Sequence, residues 1–540
     1  MLPIAAAKPL IQTTTMPPHF PALNRRNLIL GLLLSSLLAP LASAAGHAEH
    51  VVVLVWDGMR PDFISEENTP TLSRLARDGV FFQNHHAVFV SSTEVNGAAL
   101  ATGVHPRTSG VMANKEYRPA IDPMKSVAIE GMTTIRTGDV VSHDQYLRVA
   151  TVAEILRMQN PPQRTAIAGT KPVALLFDRK ERPDDSPSRL LAEGETLPAS
   201  LLARITGRLG AFPAINKTKI DRDTWTARAL LDELWADGVP PFSVLWLAEP
   251  DWSQHATGPG SETSLAAIRS SDDKLALVLK ALADRKLLGQ TDMMIVSDHG
   301  FSTIGRNADV ALDLSKAALT VCRAFAGVPA AGTVLVIGNG GSANLYVTGH
   351  DGAVIKRAVD CLQTQDYTGV LFTREGIEGT FPLSLAKIDT PDAPDIVISF
   401  RWSDGRNANG TPGLLVSETG GRRGPGEGDH ASLSRFDLHN TLVAAGPDFR
   451  KGVVDPLPSG NTDIAPTALW ILGVQPPAPM DGRVLTEALT IPGPKLQSFE
   501  VNRHEVTRVL GAGIWHQYLT ISEVNGVTYF DEGNGGIVNK

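Results

Sequence analysis

Cysteine is almost missing from this sequence: Cys322 and Cys361 are the only two among 540 residues. That scarcity excludes a disulfide-stapled scaffold, and the spacing excludes a thiolate zinc knuckle. In an oxidising compartment the two could pair; two free thiols satisfy the sequence equally well. Clusters of basic charge are missing too. Lys and Arg number 49 against 57 Asp and Glu, a net charge of −8. Nucleic acid as a general partner is thereby excluded, because backbone binding needs a basic stripe. Nor is there an internal repeat or a long low-complexity segment.

One apolar run near the start reads as a leader rather than as part of the folded domain. In "NRRNLILGLLLSSLLAPLASAAG", Arg25 and Arg26 precede an apolar run at 28–39, and Ala42, Ser43 and Ala44 follow it. This is the three-part layout of a secretory signal, too short and wrongly flanked for a spanning helix. The paired arginines match a twin-arginine signal, which exports folded proteins. Residues 1–44 are therefore expected to be removed, leaving an exported protein, periplasmic or secreted, with no stable membrane span. An N-terminal membrane anchor is the competing reading.

What is plentiful is ordinary globular material, 43% hydrophobic and 20% charged. Three apolar runs stand out because each ends in acid: "VVVLVWDG" at Asp57, "FSVLWLAEPDWSQH" at Glu249, Asp251 and His255, and "MMIVSDHG" at Asp298 and His299. Uniformly apolar runs of this length read as strands buried on both faces of a parallel sheet. The amphipathic stretches between them read as covering helices, so the fold class is an open α/β sheet. Ligands of such sheets bind outside the carboxyl ends of the strands, where these acids and histidines fall. One strand ending in Asp is a common turn or cap. Three converging carboxylates would raise one another's pKa, and divalent cations remove that conflict. Asp with His is a donor set that suits zinc. "GEGDHASL" adds His430 among glycines that let the backbone bend tightly. His439, His85 and His86 read as structural histidines.

The stretch "VSSTEVNGAALATG", residues 90–103, offers three adjacent hydroxyls. Taken alone it is a helix cap, since Ser, Thr and Asn accept the unpaired amide hydrogens of a first turn. Its neighbours change that reading. The blocks "VVVLVWDGMRPD", "STEVNGAALATGVHPRTSGVMANKEY", "LAEPDWSQHATGP", "SDHGFSTIG" and "GDHASL…LVAAGPDF" resemble, in order, the nucleotide pyrophosphatase/phosphodiesterase branch of the alkaline phosphatase superfamily. The resemblance implies an alkaline-phosphatase-like, mostly parallel sheet flanked by helices. It implies a Thr nucleophile at Thr93 in register with Asn96, Thr102 and Gly103, with Ser92 as the fallback and Ser91 a loop hydroxyl. It further implies two zinc ions, one on Asp251, His255 and His430, the other on Asp57, Asp298 and His299 beside Thr93. A covalent phospho-Thr93 would form during hydrolysis of a small phosphorylated substrate, with Asn96 donating to a phosphate oxygen.

The chain departs from that family at Glu94, where nucleotide-preferring relatives carry an aromatic stacking residue. A carboxylate offers no stacking face and repels extra phosphates, so a small phosphodiester, a phosphonate or a monoester all fit. A phosphotransferase on the same site, and a non-catalytic binding protein that keeps the fold, are the other readings. The sulfatase branch is excluded because neither Ser91 nor Ser92 is followed by its Pro and Arg. The expected organisation is a catalytic domain at 47–490 with insertions within 119–225 and 302–420, the latter a small cap, and a β-rich appendage at 497–540. "GNGGS" within the second insertion reads as a hairpin turn rather than a phosphate loop.

Overall fold

Val51 to Val55 are branched residues in unbroken succession, suited to a pleated surface buried on both sides. In the computed structural model of the chain they form the central strand β1 (His50–Trp56), with each of those five side chains fully out of solvent. The structure describes residues 46–418, 422–496, 498–511 and 513–538; the expected signal at 1–44 lies outside them. Successive side chains of a strand point to opposite faces. Val51, Val53 and Val55 accordingly enter one core, and Val52, Leu54 and Trp56 the other. Burying each such side chain is worth about 1.5–3 kcal/mol, which is why this strand sits at the middle of the molecule.

Eight further strands complete the sheet: β2 (Val80–His86), β3 (Thr165–Gly169), β4 (Arg189–Ala192), β5 (Glu195–Leu197), β6 (Phe242–Leu247), β7 (Thr291–Val296), β8 (Leu442–Ala445) and β9 (Val453–Gly460). Their order is β9-β2-β8-β7-β1-β6-β3-β4-β5. The block β7-β1-β6-β3-β4 is parallel, while β8 and β5 run antiparallel to their neighbours. The chain is therefore of the mostly parallel α/β class. Register matters most at one edge: Trp56 lies opposite Leu247, and Val55 opposite Val296. The residues that follow these three strands thus emerge side by side.

Three helices position the site. Helix α1 (Thr93–Thr102) is entirely buried, with a small, apolar run from Gly97 to Ala101, and it ends at Gly103, whose φ of 71° is left-handed. Gly97 is required within it, because a Cβ there would lie 2.4 Å from Val173 Cγ2. Helix α2 (Asp251–Thr257) starts directly after β6, and α3 (Glu262–Asp284) packs on the second core.

The segment after β7 builds a six-stranded sheet, in which 334–338 and 342–347 form an antiparallel hairpin around the Gly-rich turn. Cys322 and Cys361 are both free thiols, partly exposed. The C-terminal segment forms a three-stranded antiparallel sheet of β10 (Phe499–Leu510), β11 (Gly513–Val524) and β12 (Val527–Val538). It is not a loose tail. Leu519, Ile521 and Phe530 join the main core, and Gln517 bonds both backbone groups of Leu371. No helix among the described residues is long and apolar enough to cross a membrane.

Candidate metal centre and nucleophile

The shared strand edge gathers six side chains into two triads. Asp57 follows β1, Asp298 and His299 follow β7, and one ligand-capable atom from each lies within 4.8 Å of the others. Asp251 and His255, four residues apart on α2, meet His430 in the same way. The two triads touch: the rings of His299 and His430 stack with centroids 3.7 Å apart.

Each histidine is oriented by the same device. His255 Nδ1 faces Gly428 O at 2.9 Å, His299 Nδ1 faces Gly300 O at 2.8 Å, and His430 Nδ1 faces Ser91 O at 3.0 Å. A carbonyl accepts only from an N–H, so Nδ1 carries the hydrogen and the Nε2 lone pair turns inward. Each carboxylate also keeps one buried oxygen without a hydrogen-bond partner among the described residues: Asp57 Oδ1, Asp251 Oδ1 and Asp298 Oδ2. Their other oxygens are anchored. Asp57 Oδ2 accepts from Trp246 Nε1 at 2.8 Å, and Asp298 Oδ1 from the Gly58 and His299 amides at 3.0 Å each. Three inward lone pairs and three orphaned carboxylate oxygens fit a pair of divalent cations, and nitrogen with carboxylate oxygen is a zinc-compatible donor set.

The electrostatics carry the same strain. Burial, with Asp298 alongside, pushes the Asp57 carboxyl well above the usual carboxylate range. Asp251 goes the other way: burial opposes ionisation, but Lys171 and His255 hold its carboxyl well below that range. Burial, together with His299 and His255, keeps His430 far below the ordinary imidazole value, so it is neutral.

Thr93 is the first residue of α1 and stands beside the Asp57–Asp298–His299 triad, its Oγ1 3.3 Å from His299 Nε2. The other hydroxyls are placed differently. Ser91 Oγ donates to Ser432 O at 2.7 Å and is committed to the backbone. Ser92 holds the cap position, yet its side chain makes no capping bond and its Oγ is buried without a partner among the described residues.

Asn96 requires a correction. It was expected to donate to a phosphate oxygen, but it is fully buried and its amide is spent. Oδ1 accepts from Val88 N at 2.8 Å and Asn461 Nδ2 at 2.9 Å, while Nδ2 donates to Ser92 O at 3.1 Å and Val88 O at 3.3 Å. Asn96 is the helix-turn amide that fixes the start of α1.

Two site residues escaped the sequence reading. Lys171, two places beyond β3, puts its Nζ 2.9 Å from Asp57 Oδ2, 3.2 Å from Asp251 Oδ2 and 3.3 Å from Thr93 Oγ1. Burial works against its charge, yet Asp251, Asp57 and Glu130 hold the ammonium well above its ordinary range. Lys171 stands at the carboxyl end of a buried parallel strand, where ligands of such sheets bind, but a lone Lys there carries no pattern that singles it out. Asn114 is the second: its Oδ1 accepts from Glu94 N at 3.2 Å, and it lines a cavity of about 500 Å³ with His255 and His430. Lys115, Arg323, Arg422 and Arg423 border the same cavity, against Glu418 and Asp429. Of the structural histidines, His85 is fully satisfied, by Ser459 Oγ at 2.9 Å and Asn461 Oδ1 at 3.0 Å.

The family model described as "Type I phosphodiesterase / nucleotide pyrophosphatase" matches residues 51–403. Among curated proteins, a venom phosphodiesterase of Naja atra is 21% identical over 265 residues, 48% of this chain and 27% of that protein. A bis(5'-adenosyl)-triphosphatase of Xenopus laevis is 21% identical over 446 residues, 78% of each chain. The chain spans about a quarter of the length of the two venom phosphodiesterases and about half that of a mouse bis(5'-adenosyl)-triphosphatase. Murine ectonucleotide pyrophosphatase/phosphodiesterase 5 shares the fold, with a TM-score of 0.58 at 18% identity, covering 82% of this chain and all of that one. The human counterpart gives 0.56 at 17% identity.

Proposed function

The chain belongs to the type I phosphodiesterase / nucleotide pyrophosphatase family, and from that premise we propose that it hydrolyses phosphoric esters, diesters first, with Thr93 as nucleophile. The observation that carries this reading is the pair of triads, Asp57–Asp298–His299 and Asp251–His255–His430, flanking one hydroxyl at a helix start. Two divalent cations, zinc by the donor set, would be held there and supply Lewis-acid stabilisation of the attacking and leaving oxygens.

The remaining work belongs to the chain. Thr93 presents Oγ1 from the first turn of α1, where the positive end of the helix dipole favours an anionic phosphate. Oγ1 gives up its proton as its bond to phosphorus forms, and the leaving alkoxide takes one up as it departs; water then cleaves the Oγ1–phosphorus bond, which releases a phosphate monoester from a diester and returns the hydroxyl. Lys171, within reach of that oxygen, balances negative charge on the transferring group. Asn114 takes the role first expected of Asn96. Its Oδ1 is occupied by the Glu94 amide, and its Nδ2, with no partner among the described residues, would donate to a non-bridging phosphate oxygen.

The cation-bordered cavity supports an anionic substrate. The neighbourhood of Glu94 narrows it further. That side chain is buried, burial and Glu130 push its carboxyl well above the usual range, and its Oε2 has no partner among the described residues. It supplies hydrogen bonding where a base would need a stacking face, which favours a small diester. One relative in the family is a bis(5'-adenosyl)-triphosphatase and one neighbour binds AMP as an inactive variant, so nucleotides belong in the comparison. Export by the signal at 1–44 would put this activity outside the cytoplasm.

The test is a panel of chromogenic diester, monoester and phosphonate esters, with a dinucleotide, run on wild type and Thr93→Ala. Fastest turnover on the diester, abolished by Thr93→Ala and by chelation and restored by zinc, is expected. Full turnover by Thr93→Ala, or preference for the monoester, contradicts the reading.

A further inference from the structure

Outside the two triads, a third group of metal-competent side chains meets where the C-terminal sheet crosses the core. His86 closes β2, His439 faces it across an isolated antiparallel bridge, and Asp531 belongs to β12. One donor atom from each lies within 4.8 Å of the others. The two imidazole centroids are 4.4 Å apart, and Asp531 Oδ1 is 3.0 Å from His86 Nε2.

The supporting bonds repeat those of the candidate metal centre. His86 Nδ1 faces Ser459 O at 3.0 Å, so Nδ1 donates and Nε2 is turned toward the group. Asp531 Oδ2 accepts from the Ser522 hydroxyl at 2.8 Å, which leaves Oδ1 pointing at His86. The backbone contributes as well. Thr520 pairs with Glu532 and Ile521 with Phe530, so Asp531 is the unpaired extra residue of a β-bulge. A bulge bends its strand and re-aims a side chain.

The contact between His86 Nε2 and Asp531 Oδ1 accounts for those two side chains but not for His439. The His439 ring takes no hydrogen bond among the described residues, although it packs against both. Its ring stands 4.4 Å from that of His86, with a ring nitrogen left to give. Asp531 retains 16% exposure while His86 has 1%, which leaves an entry path from solvent.

We propose that His86, His439 and Asp531 form a third cation site, for zinc or a similar divalent transition metal, that fastens the C-terminal sheet to the core. Two imidazoles and one carboxylate supply three ligands, and water completes a tetrahedron. The cation takes the place of the direct contact between His86 Nε2 and Asp531 Oδ1, and any proton displaced leaves to solvent. Because those ligands are 445 residues apart, the bond ties together ends of the chain that sequence keeps remote.

Crystals of the full chain soaked in zinc decide the matter through anomalous scattering across the zinc edge. A peak is expected about 2.1 Å from the three donor atoms; its absence at saturating zinc overturns the proposal. In solution, Asp531→Asn and His439→Gln are expected to retain one zinc equivalent fewer than wild type after gel filtration. They should keep diester turnover, lose part of the zinc-dependent rise in melting temperature, and expose the C-terminal sheet to limited proteolysis. Equal zinc content in wild type and both variants overturns it. If either variant fails to fold, the anomalous map of wild type stands as the deciding measurement.

Discussion

At the scale of single residues, the chemistry of the site turns on which polar atoms are left uncommitted. Among the described residues, Thr93 Oγ1 has His299 and Lys171 as its neighbours within hydrogen-bond reach, both of them site residues, so Thr93→Ala removes chemistry without removing a bond to the scaffold. Turnover is expected to fall by roughly three orders of magnitude or more, as for other nucleophile deletions, with an unchanged melting temperature. Asn114→Ala should lower kcat by roughly 10²-fold with little change in KM, the signature of a donor used in the transition state. An equal rise in KM at constant kcat would assign Asn114 to substrate binding instead. Lys171 makes a prediction about stability. Its ammonium spans Asp57 and Asp251, one from each triad. Lys171→Met should therefore lower the melting temperature of chelator-treated protein more than that of zinc-loaded protein; equal losses in both states would contradict it. The acids and histidines at strand ends were legible in the sequence because each interrupts an apolar run. Lys171 and Asn114 were not, because a lone Lys after "TAIAGT" and a loop Asn carry no pattern of their own, and the Asn96 assignment failed because sequence register cannot reveal that a buried amide is already committed to Val88, Ser92 and Asn461.

At the scale of elements, burial on both faces made the central strands readable, whereas their antiparallel companions needed tertiary context. β7 carries one further consequence of such burial. Asp292 lies in it with Oδ1 accepting from Asp448 N at 3.1 Å, and burial pushes its carboxyl up to about 8. In the unfolded chain the same group ionises near pH 4, at about 3.9. Its folded pKa is thus raised. The associated stability is complete below about pH 4 and is lost as pH rises toward 8. Asp292→Asn keeps the acceptor and removes the titration, so the variant should gain on wild type as pH increases from 5 to 8 in denaturant melts; parallel pH profiles would contradict this. In α1, Gly97→Ala forces a methyl group against Val173 and Trp246. Overpacking of that kind costs about 1–3 kcal/mol, and here it also displaces the helix that carries Thr93, so activity and stability should fall together.

At the scale of the whole molecule, the ends of the chain matter to its middle. Trp515, Leu519 and Phe530 from the C-terminal sheet are fully buried, and Trp402 Nε1 donates to Gly533 O at 2.7 Å. Removing 497–540 uncovers those surfaces. Losing a buried Phe or Trp alone costs about 3–5 kcal/mol, against a total domain stability of about 5–15 kcal/mol. The truncated chain is expected to bind a hydrophobic dye and melt without a cooperative transition; a cooperative melt near the wild-type temperature would contradict that. Sequence alone marked this segment as β-rich, but its docking was illegible, since Gln517 and Asp531 meet partners more than a hundred residues away. The most direct test of the whole account is to quench the enzyme with acid during turnover of a diester and map the phosphorylated peptide by mass spectrometry. An adduct on Thr93 that disappears in Thr93→Ala is the predicted result. An adduct on Ser92, or undiminished turnover without Thr93, would contradict it.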